Sequence, residues 1–181
     1  MIALLVIVYS FAIGYNCNHN LNFQTVRENE RYAMSDYIIK IIPINPYYHI
    51  DGQKINKIVD DLKTRITADN VELKTYDTPA FIDCGSNLEK ITCPICCAMI
   101  DFDWWSVAMD TASNSSFMDL NVKLPCCGGS STLNDLQYDF LCGFSCVELS
   151  VLNPLNELSQ ECLSYIQELL GTPIRCIQAH I

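Results

Sequence analysis

The chain carries an internal near-repeat, which restricts the folds that it can adopt. One copy begins at Ile38 and the other at Cys146, 108 positions later, and each starts with a run typical of a β-strand. An Asn-Pro pair follows in both copies, at Asn45-Pro46 and at Asn153-Pro154, and predicts a turn after each strand. The equal spacing favours two copies of one structural unit over a chance similarity between two generic units.

The second part of each copy predicts a helix and then another strand. Asp51 and Ser159 are residue types that accept hydrogen bonds from the first free amides of a helix. Apolar residues at helical spacing follow them, namely Ile55, Ile58, Val59, Leu62 and Ile66 in the first copy and Leu163, Ile166, Leu169 and Leu170 in the second. Extended runs over residues 71–78 and 174–181 complete the two units.

These patterns predict an α+β fold built from two βαβ units, at residues 34–78 and 144–181. Neither unit can bury its sheet face and its helix stripe alone. We therefore expect the units to form one four-stranded, ferredoxin-like sheet with both helices on one face. Residues 79–143 are too long for an ordinary connection and contain two cysteine pairs. We expect this segment to form a zinc-ribbon-like insert.

The cysteine pairs of the insert predict a zinc site. Cys93 and Cys96 have the CPxC spacing of a zinc knuckle, and the adjacent pair Cys126 and Cys127 lies about thirty residues further on. Structural zinc takes four ligands in tetrahedral geometry. These four cysteines are therefore the predicted metal ligands.

The second pair fits this geometry less simply than the first. Neighbouring side chains normally diverge, so Cys126 and Cys127 can both bind one ion only on a bent backbone, which Pro125 and Gly128 permit. Three other residues could supply the fourth ligand instead, namely Cys84, Cys97 or Asp101. A set of buried free cysteines is the remaining alternative.

The rest of the insert gives a coarse pattern of elements. A hairpin is expected over residues 88–100, around the first cysteine pair, and a short helix over 102–112. A partly alternating strand over residues 117–124 leads into the second pair, and residues 130–140 are polar and acidic.

Charge excludes one common role of zinc ribbons. The chain has 11 Lys and Arg against 21 Asp and Glu, and from residue 81 onward it has three basic and twelve acidic residues. A phosphate backbone needs neutralising cations, so nucleic acid is a poor partner for this half of the chain. A basic protein or a neutral small molecule fits better.

The acidic and aromatic residues of the insert predict a recognition surface for a protein partner. Its members are Asp101, Asp103, Trp104, Trp105, Asp135, Tyr138 and Asp139. The alternatives are that both tryptophans pack against the zinc module and that Asp135 and Asp139 cap turns.

An enzyme is the competing functional hypothesis. The CPxC motif resembles the active-site motif of glutaredoxins, whose chemistry needs a stabilised thiolate. No Lys or Arg lies between Lys90 and Lys123, and the residues that follow are acidic, which predicts raised thiol pKa values. The insert has no His, and no nucleophile–His–acid order or phosphate-binding loop is present, so no catalytic residue is predicted.

Cysteine usage and the start of the chain bear on localisation. Eleven cysteines in a chain with an ample core favour a reducing cytoplasm, and Cys142, Cys146, Cys162 and Cys176 fall in apolar strand or helix patterns where a free cysteine acts as a small hydrophobe. Residues 1–14 are apolar but shorter than a bilayer span. We interpret residues 1–33 as a leader that is not translated, with the true start at Met34. A weak signal anchor, and so a membrane-anchored or exported protein, is the alternative.

A family resemblance follows from the motifs. CPxC, Asp101-x-Asp103-Trp104-Trp105, Leu124-Pro125-Cys126-Cys127-Gly128, then Leu133-Asn134-Asp135-Leu136-x-Tyr138-Asp139 and a closing βαβ unit resemble a family of uncharacterised bacterial proteins. The resemblance covers residues 34–181 and implies no activity. Cys97 departs from the Gly usual after such a knuckle.

The sequence thus predicts a cytoplasmic, zinc-binding, non-enzymatic protein–protein interaction module. One version is an acidic immunity or adaptor protein that masks a basic partner. The alternative is a thiol-redox or metal-assisted enzyme that uses Cys93 and Cys96.

Overall fold

The structure, a computed structural model, describes residues 36–180 and is a mixed α+β fold with three α-helices. The predicted leader, residues 1–33, lies outside the described residues. The elements in chain order are β1 (Tyr37–Pro43), α1 (Gly52–Arg65), β2 (Asn70–Ile82), β3 (Ile91–Thr92), β4 (Met99–Ile100), α2 (Phe102–Ser113), β5 (Asn121–Lys123), β6 (Ser130–Thr132), a 3₁₀ turn (Leu133–Asp135), β7 (Gln137–Tyr138), β8 (Gly143–Leu152), α3 (Gln160–Leu170) and β9 (Ile174–His180).

The four longest strands form one sheet in the order β2-β8-β1-β9, and every neighbouring pair is antiparallel. In this register Ile39 lies between Val151 on β8 and Gln178 on β9. Strand β8 is buried along almost its whole length. Leu149 and Val151 alternate with Glu148 and Ser150, which are also buried and line a groove on the opposite face of the sheet.

Helices α1 and α3 pack on the same apolar side of this sheet. Ile58 and Leu62 of α1 and Ile166 and Leu170 of α3 are buried in one cluster with strand residues Ile39, Ile41, Leu149 and Val151. Burying a side chain of this size contributes about 1.5–3 kcal/mol each. Packing of the two helical stripes against the sheet is therefore the main stabilising contact of this part of the chain.

Both predicted N-caps are confirmed. The Asp51 side chain accepts from the Gln53 amide at 3.0 Å, and the Ser159 hydroxyl accepts from the Cys162 amide at 3.2 Å. Helix α3 ends at Gly171, which takes a left-handed conformation (φ 69°) that glycine adopts without steric cost.

The two Asn-Pro pairs have different roles despite their equivalent positions. The Asn45 side chain closes a local turn by accepting from the Tyr47 amide at 3.1 Å. Asn153 has a positive φ of 46°; its amide group donates to Asp36 and Asp69, and its oxygen accepts from the Tyr37 amide. The difference arises because Asn153 lies beside the start of β1.

Strand β2 is longer than predicted, since it continues beyond residue 78 to Ile82. Its pairing with β8 shifts register between Thr75 and Ala80. Pro79 lies inside this irregular stretch, where its missing N–H breaks no ladder hydrogen bond. Pairing then resumes at Ala80, so the sheet continues up to the point where the insert leaves it.

The insert consists of α2, a small sheet in the order β4-β3-β7 and a two-stranded β5-β6 hairpin. The predicted helix and the predicted hairpin around the first cysteine pair are confirmed. The Arg175 guanidinium of β9 joins the insert to the sheet by donating to the carbonyls of Cys142 and Asn134, at 2.6 and 3.2 Å. The Asn134 side chain also donates to the Ile44 carbonyl and accepts from the Phe144 amide.

Within residues 36–180, none of the helices combines the length and the apolar character needed to cross a bilayer.

Candidate metal centre

The first cysteine pair lies on a tight turn that follows β3 directly. The Cys93 amide donates to the Ala98 carbonyl at 2.8 Å, and the Cys97 amide donates back to the Cys93 carbonyl at 3.0 Å. Pro94 occupies the second position of this six-residue turn, and Cys97 occupies the fifth with a left-handed φ of 57°. The turn brings the side chains of its first and fourth residues, Cys93 and Cys96, to one side.

The second cysteine pair lies on a turn with the same backbone hydrogen bonds. The Leu124 amide donates to the Gly129 carbonyl at 2.9 Å, and the Gly128 amide donates to the Leu124 carbonyl at 3.0 Å. Pro125 again occupies the second position, and Gly128, at the fifth, has a φ of 66°. The two turns are therefore structurally equivalent over residues 93–98 and 124–129.

This equivalence explains how two adjacent cysteines reach one site. Cys127 occupies the position of Cys96, whereas Cys126 occupies the position of Ile95. The position of Cys93 is taken by Leu124, which is buried in the core of the insert. The second turn thus supplies its ligands from positions three and four, and the bend at Gly128 provides the backbone curvature that the sequence required.

The four sulfur atoms of Cys93, Cys96, Cys126 and Cys127 all lie within 4.8 Å of one another and could hold a metal ion. The Sγ–Sγ distance is 3.4 Å between Cys96 and Cys126 and 3.8 Å between Cys93 and Cys127. A tetrahedron with zinc–sulfur bonds of about 2.3 Å has edges of about 3.8 Å, so the donor set fits a thiolate-bound ion of this size. Cys93 is buried and the other three are exposed.

Backbone amides stabilise negative charge on the buried sulfur. Burial by itself raises the pKa of the Cys93 thiol, but the amides of Cys96 and Ile95, each 3.3 Å from Sγ, and the neighbouring thiols outweigh it and lower the pKa to about 7. The expectation of raised thiol pKa values is wrong for Cys93, because amides rather than basic side chains supply the positive field.

The charge is shared unevenly among the four thiols. Desolvation by the neighbouring groups and hydrogen bonds with the thiols of Cys96 and Cys93 raise the pKa of Cys126 to about 12, although its side chain is exposed. A first negative charge therefore resides on Cys93, and it opposes ionisation of its neighbours. A bound cation removes this opposition, which is why several thiolates at such spacing indicate a metal site.

The three alternative ligands lie outside this cluster of four. The Cys84 sulfur is 3.4 Å from that of Cys142, and both are buried. Asp101 is the N-cap of α2 and accepts from the Asp103 amide at 2.7 Å. Cys97 shapes the first turn through its positive φ and is not one of the four clustered side chains.

Trp105 and Tyr138 of the predicted recognition surface form an internal contact. The Trp105 indole donates to the Tyr138 hydroxyl at 3.2 Å, and that hydroxyl donates to the Leu133 carbonyl at 2.9 Å. Tyr138 is only 7% exposed, and burial raises its pKa. Tyr138 is therefore a core residue rather than part of an exposed surface, because its ring packs against Trp105 of α2 and Phe81 of β2.

The acidic members of the predicted surface divide into two groups. Asp101 and Asp103 lie at the exposed N-terminus of α2, next to Trp104, which is half-buried and lines a groove between α2 and β5. Asp135 accepts from the Thr132 hydroxyl at 2.6 Å. Asp139 accepts from the amides of Glu89 and Phe140. Asp135 and Asp139 are both exposed, and the hydrogen bonds that their carboxylates accept fit the alternative in which they cap turns.

Sequence reasoning missed the match between the two turns, including the structural roles of Leu124 and Gly129. A Cβ atom at Gly129 would lie 2.5 Å from the Ile95 side chain, so the two turns are in direct contact. The sequence pattern that could have revealed this match is the Pro-x-Cys spacing that Pro94–Cys96 and Pro125–Cys127 share.

No protein-family model matches this chain, and the searches of curated proteins and of solved structures gave no significant match either.

Proposed function

We propose that Cys93, Cys96, Cys126 and Cys127 bind one zinc ion in a closed structural site. The main support for this proposal is the pair of equivalent turns in contact with each other, which brings the four sulfur atoms within 4.8 Å of one another. Four thiolates in tetrahedral geometry are typical of zinc or iron, and a site without an open position suits a structural role.

The same proposal extends to the architecture. The order β2-β8-β1-β9, with α1 and α3 on one face, supports a ferredoxin-like sheet formed by residues 34–78 and 144–181. The small β4-β3-β7 sheet and the β5-β6 hairpin, each leading into one knuckle, support a zinc-ribbon-like insert at residues 79–143.

The function that we infer is a non-enzymatic protein–protein interaction module for a basic partner, such as an acidic immunity or adaptor protein. Asp101, Asp103 and Trp104 at the N-terminus of α2 are the residues best placed to contact that partner. The acidity of the insert and the absence of His within it support binding over catalysis. A reducing compartment such as the cytoplasm would keep the ligands as thiolates.

A thiol-redox enzyme is the second candidate, and the lowered pKa of Cys93 favours it. A nucleophilic thiol needs access, whereas Cys93 is buried and the amides around it also suit a metal-bound thiolate. The two candidates make opposite predictions for the purified protein. A structural site holds zinc and resists alkylation, whereas a redox site is metal-free and cycles between thiol and disulfide.

Metal analysis of the full chain tests the metal site. Native mass spectrometry and X-ray absorption should find one zinc per chain with four sulfur neighbours at about 2.3 Å. Cys127→Ser should abolish stoichiometric binding, whereas Cys97→Ser, a neighbouring exposed cysteine outside the cluster, should retain it. A metal-free wild-type protein that oxidises reversibly at Cys93 and Cys96 would overturn the structural assignment in favour of the enzyme.

The partner is tested separately through salt dependence. Candidates captured on the full chain should bind more slowly as ionic strength rises, because complementary charge acts mainly on the association rate. Asp103→Asn should reduce that rate, whereas Lys63→Gln, at an exposed position of α1, should not. Wild-type binding at a rate that is independent of salt would contradict a basic partner while leaving the metal site intact.

A further inference from the structure

A second sulfur pair lies where the insert meets the sheet. Cys84 follows the last residue of β2 by two positions, and Cys142 immediately precedes β8. Their Sγ atoms are 3.4 Å apart, and the two side chains are 0% and 1% exposed. The pair therefore lies inside the core of the insert, in the same buried cluster as Cys93.

The strand pairing fixes the two cysteines relative to each other. Ile82 and Gly143 form the final pair of the β2–β8 ladder, and Cys84 and Cys142 lie just beyond it on the two chain segments that enter and leave the insert. Next to Cys142, the Arg175 guanidinium donates a hydrogen bond of 2.6 Å to the Cys142 carbonyl. Next to Cys84, the backbone of Gly85 forms an isolated β-bridge with His180 of β9. Both cysteines are thus anchored by their surroundings.

This pair is not a metal site of the kind formed by the knuckles. Among residues 36–180, the group of three or more ligating side chains with metal-like spacing contains neither Cys84 nor Cys142. Two thiols in contact without further ligands have one obvious chemistry, which is oxidation to a disulfide.

We propose that Cys84 and Cys142 are a disulfide-forming site that covalently closes the base of the insert when the chain meets a small-molecule disulfide such as oxidised glutathione. One protein thiolate attacks a glutathione sulfur, releases one glutathione thiolate and forms a mixed disulfide. The second protein thiolate then attacks the protein sulfur of that mixed disulfide and displaces the second glutathione. Two protein thiols are oxidised, one glutathione disulfide is reduced to two thiols, and the two thiol protons pass to the two glutathiones.

The geometry requires little rearrangement for this bond. A disulfide has an S–S length of about 2.05 Å, so the two sulfurs need to approach by roughly 1.4 Å. The four knuckle cysteines react differently when zinc occupies them, because their thiolates are then engaged by the metal. The site therefore allows the same chain to carry a metal-bound cluster and a disulfide.

Burial controls when the exchange takes place. Neither sulfur is open to solvent, and burial raises the pKa of Cys142 to about 12, so few thiolates are available in the closed chain. We expect oxidation to be slow in the folded protein and fast while the base of the insert is open, during folding or in mild urea.

The test uses the reduced, zinc-loaded full chain in glutathione redox buffer, with and without mild urea. After acid quenching, alkylation and proteolysis, mass spectrometry should find one linked peptide pair that contains Cys84 and Cys142. The link should form at least tenfold faster in mild urea. Cys84→Ala should lose it, and Cys146→Ala, which changes an equally buried cysteine of β8, should retain it.

Two results would overturn the proposal. One is that Cys84 and Cys142 remain alkylatable as free thiols after oxidation in mild urea. The other is that each is found linked to a different cysteine. Circular dichroism of each variant should match that of the wild type, which shows that Cys84→Ala has not unfolded the chain. If Cys84→Ala does unfold, the disulfide-linked peptides of the wild type still decide between the proposal and its failure.

Discussion

Two sulfur clusters in one insert differ in their solvent exposure and in the backbone that surrounds them. Three of the four knuckle cysteines are exposed and lie on tight turns. Cys84 and Cys142 are buried at the ends of long strands. Amides donate to the Cys93 sulfur and, despite burial, lower its pKa to about 7. Desolvation raises the pKa of Cys142 to about 12. The comparison teaches that backbone amides decide whether a buried cysteine can hold a negative charge, as Cys93 can and Cys142 cannot. Cys126 has a raised pKa like Cys142, so its role as a ligand depends on the three sulfurs around it rather than on its own pKa.

The largest expected effect comes from removing a knuckle ligand. Cys93→Ser should lose zinc and unfold the insert, because structural zinc contributes about 10–16 kcal/mol of apparent binding free energy to small sites. Limited proteolysis and zinc content report the loss. Cys97→Ser is the matched control and should retain zinc, because Cys97 is not one of the four clustered cysteines. Full stability of metal-free protein would show that the two clusters do not differ as proposed.

A smaller effect is expected at the buried pair. Linking Cys84 and Cys142 closes a loop of about 60 residues, for which chain entropy gives up to about 4 kcal/mol. Urea unfolding of the oxidised and reduced full chains, both loaded with zinc, measures the difference. Cys142→Ala should remove it. An oxidised protein that is less stable than the reduced one would mean that the bond strains the base of the insert.

The equivalence of the two turns predicts opposite effects on stability when the residues at their fifth positions, Gly128 and Cys97, are changed. Gly128→Ala places a Cβ at a φ of 66° and should destabilise by about 1 kcal/mol. Nothing lies within 4 Å of that Cβ, so the cost is conformational rather than steric contact. Cys97→Gly, at a φ of 57°, should stabilise by up to about 1 kcal/mol. Thermal unfolding of the zinc-loaded variants tests both signs, and effects of the same sign would contradict the equivalence.

Much of the sheet and its helices was predictable because local chemistry and tertiary packing agree there. Asp51 and Ser159 cap the helices that their positions predicted, and the apolar stripes are the buried faces. The length of β2 was not predictable, because Pro79 reads as a strand end. Pro79 is tolerated within β2 only because the pairing of β2 with β8 shifts register around this residue.

The insert was predictable in its elements but not in the roles of its side chains. The acidic segment around Tyr138 predicts an exposed aromatic side chain. In the structure its hydroxyl is buried, where it accepts from the Trp105 indole and donates to the Leu133 carbonyl. Asp135 and Asp139 are exposed, as expected, but their carboxylates also accept hydrogen bonds within turns. Sequence spacing carries no information on which distant element covers a residue.

The sequence alone determined the N-caps, the helical stripes and the candidate ligands Cys93 and Cys96, because each depends on residues within a few positions of one another. Only the tertiary structure decided that Cys126 and Cys127 join the same cluster and that Cys84 pairs with Cys142. Both depend on where separate turns and strand ends meet in space. That placement is set by the packing of the whole insert against the sheet, which no local pattern encodes.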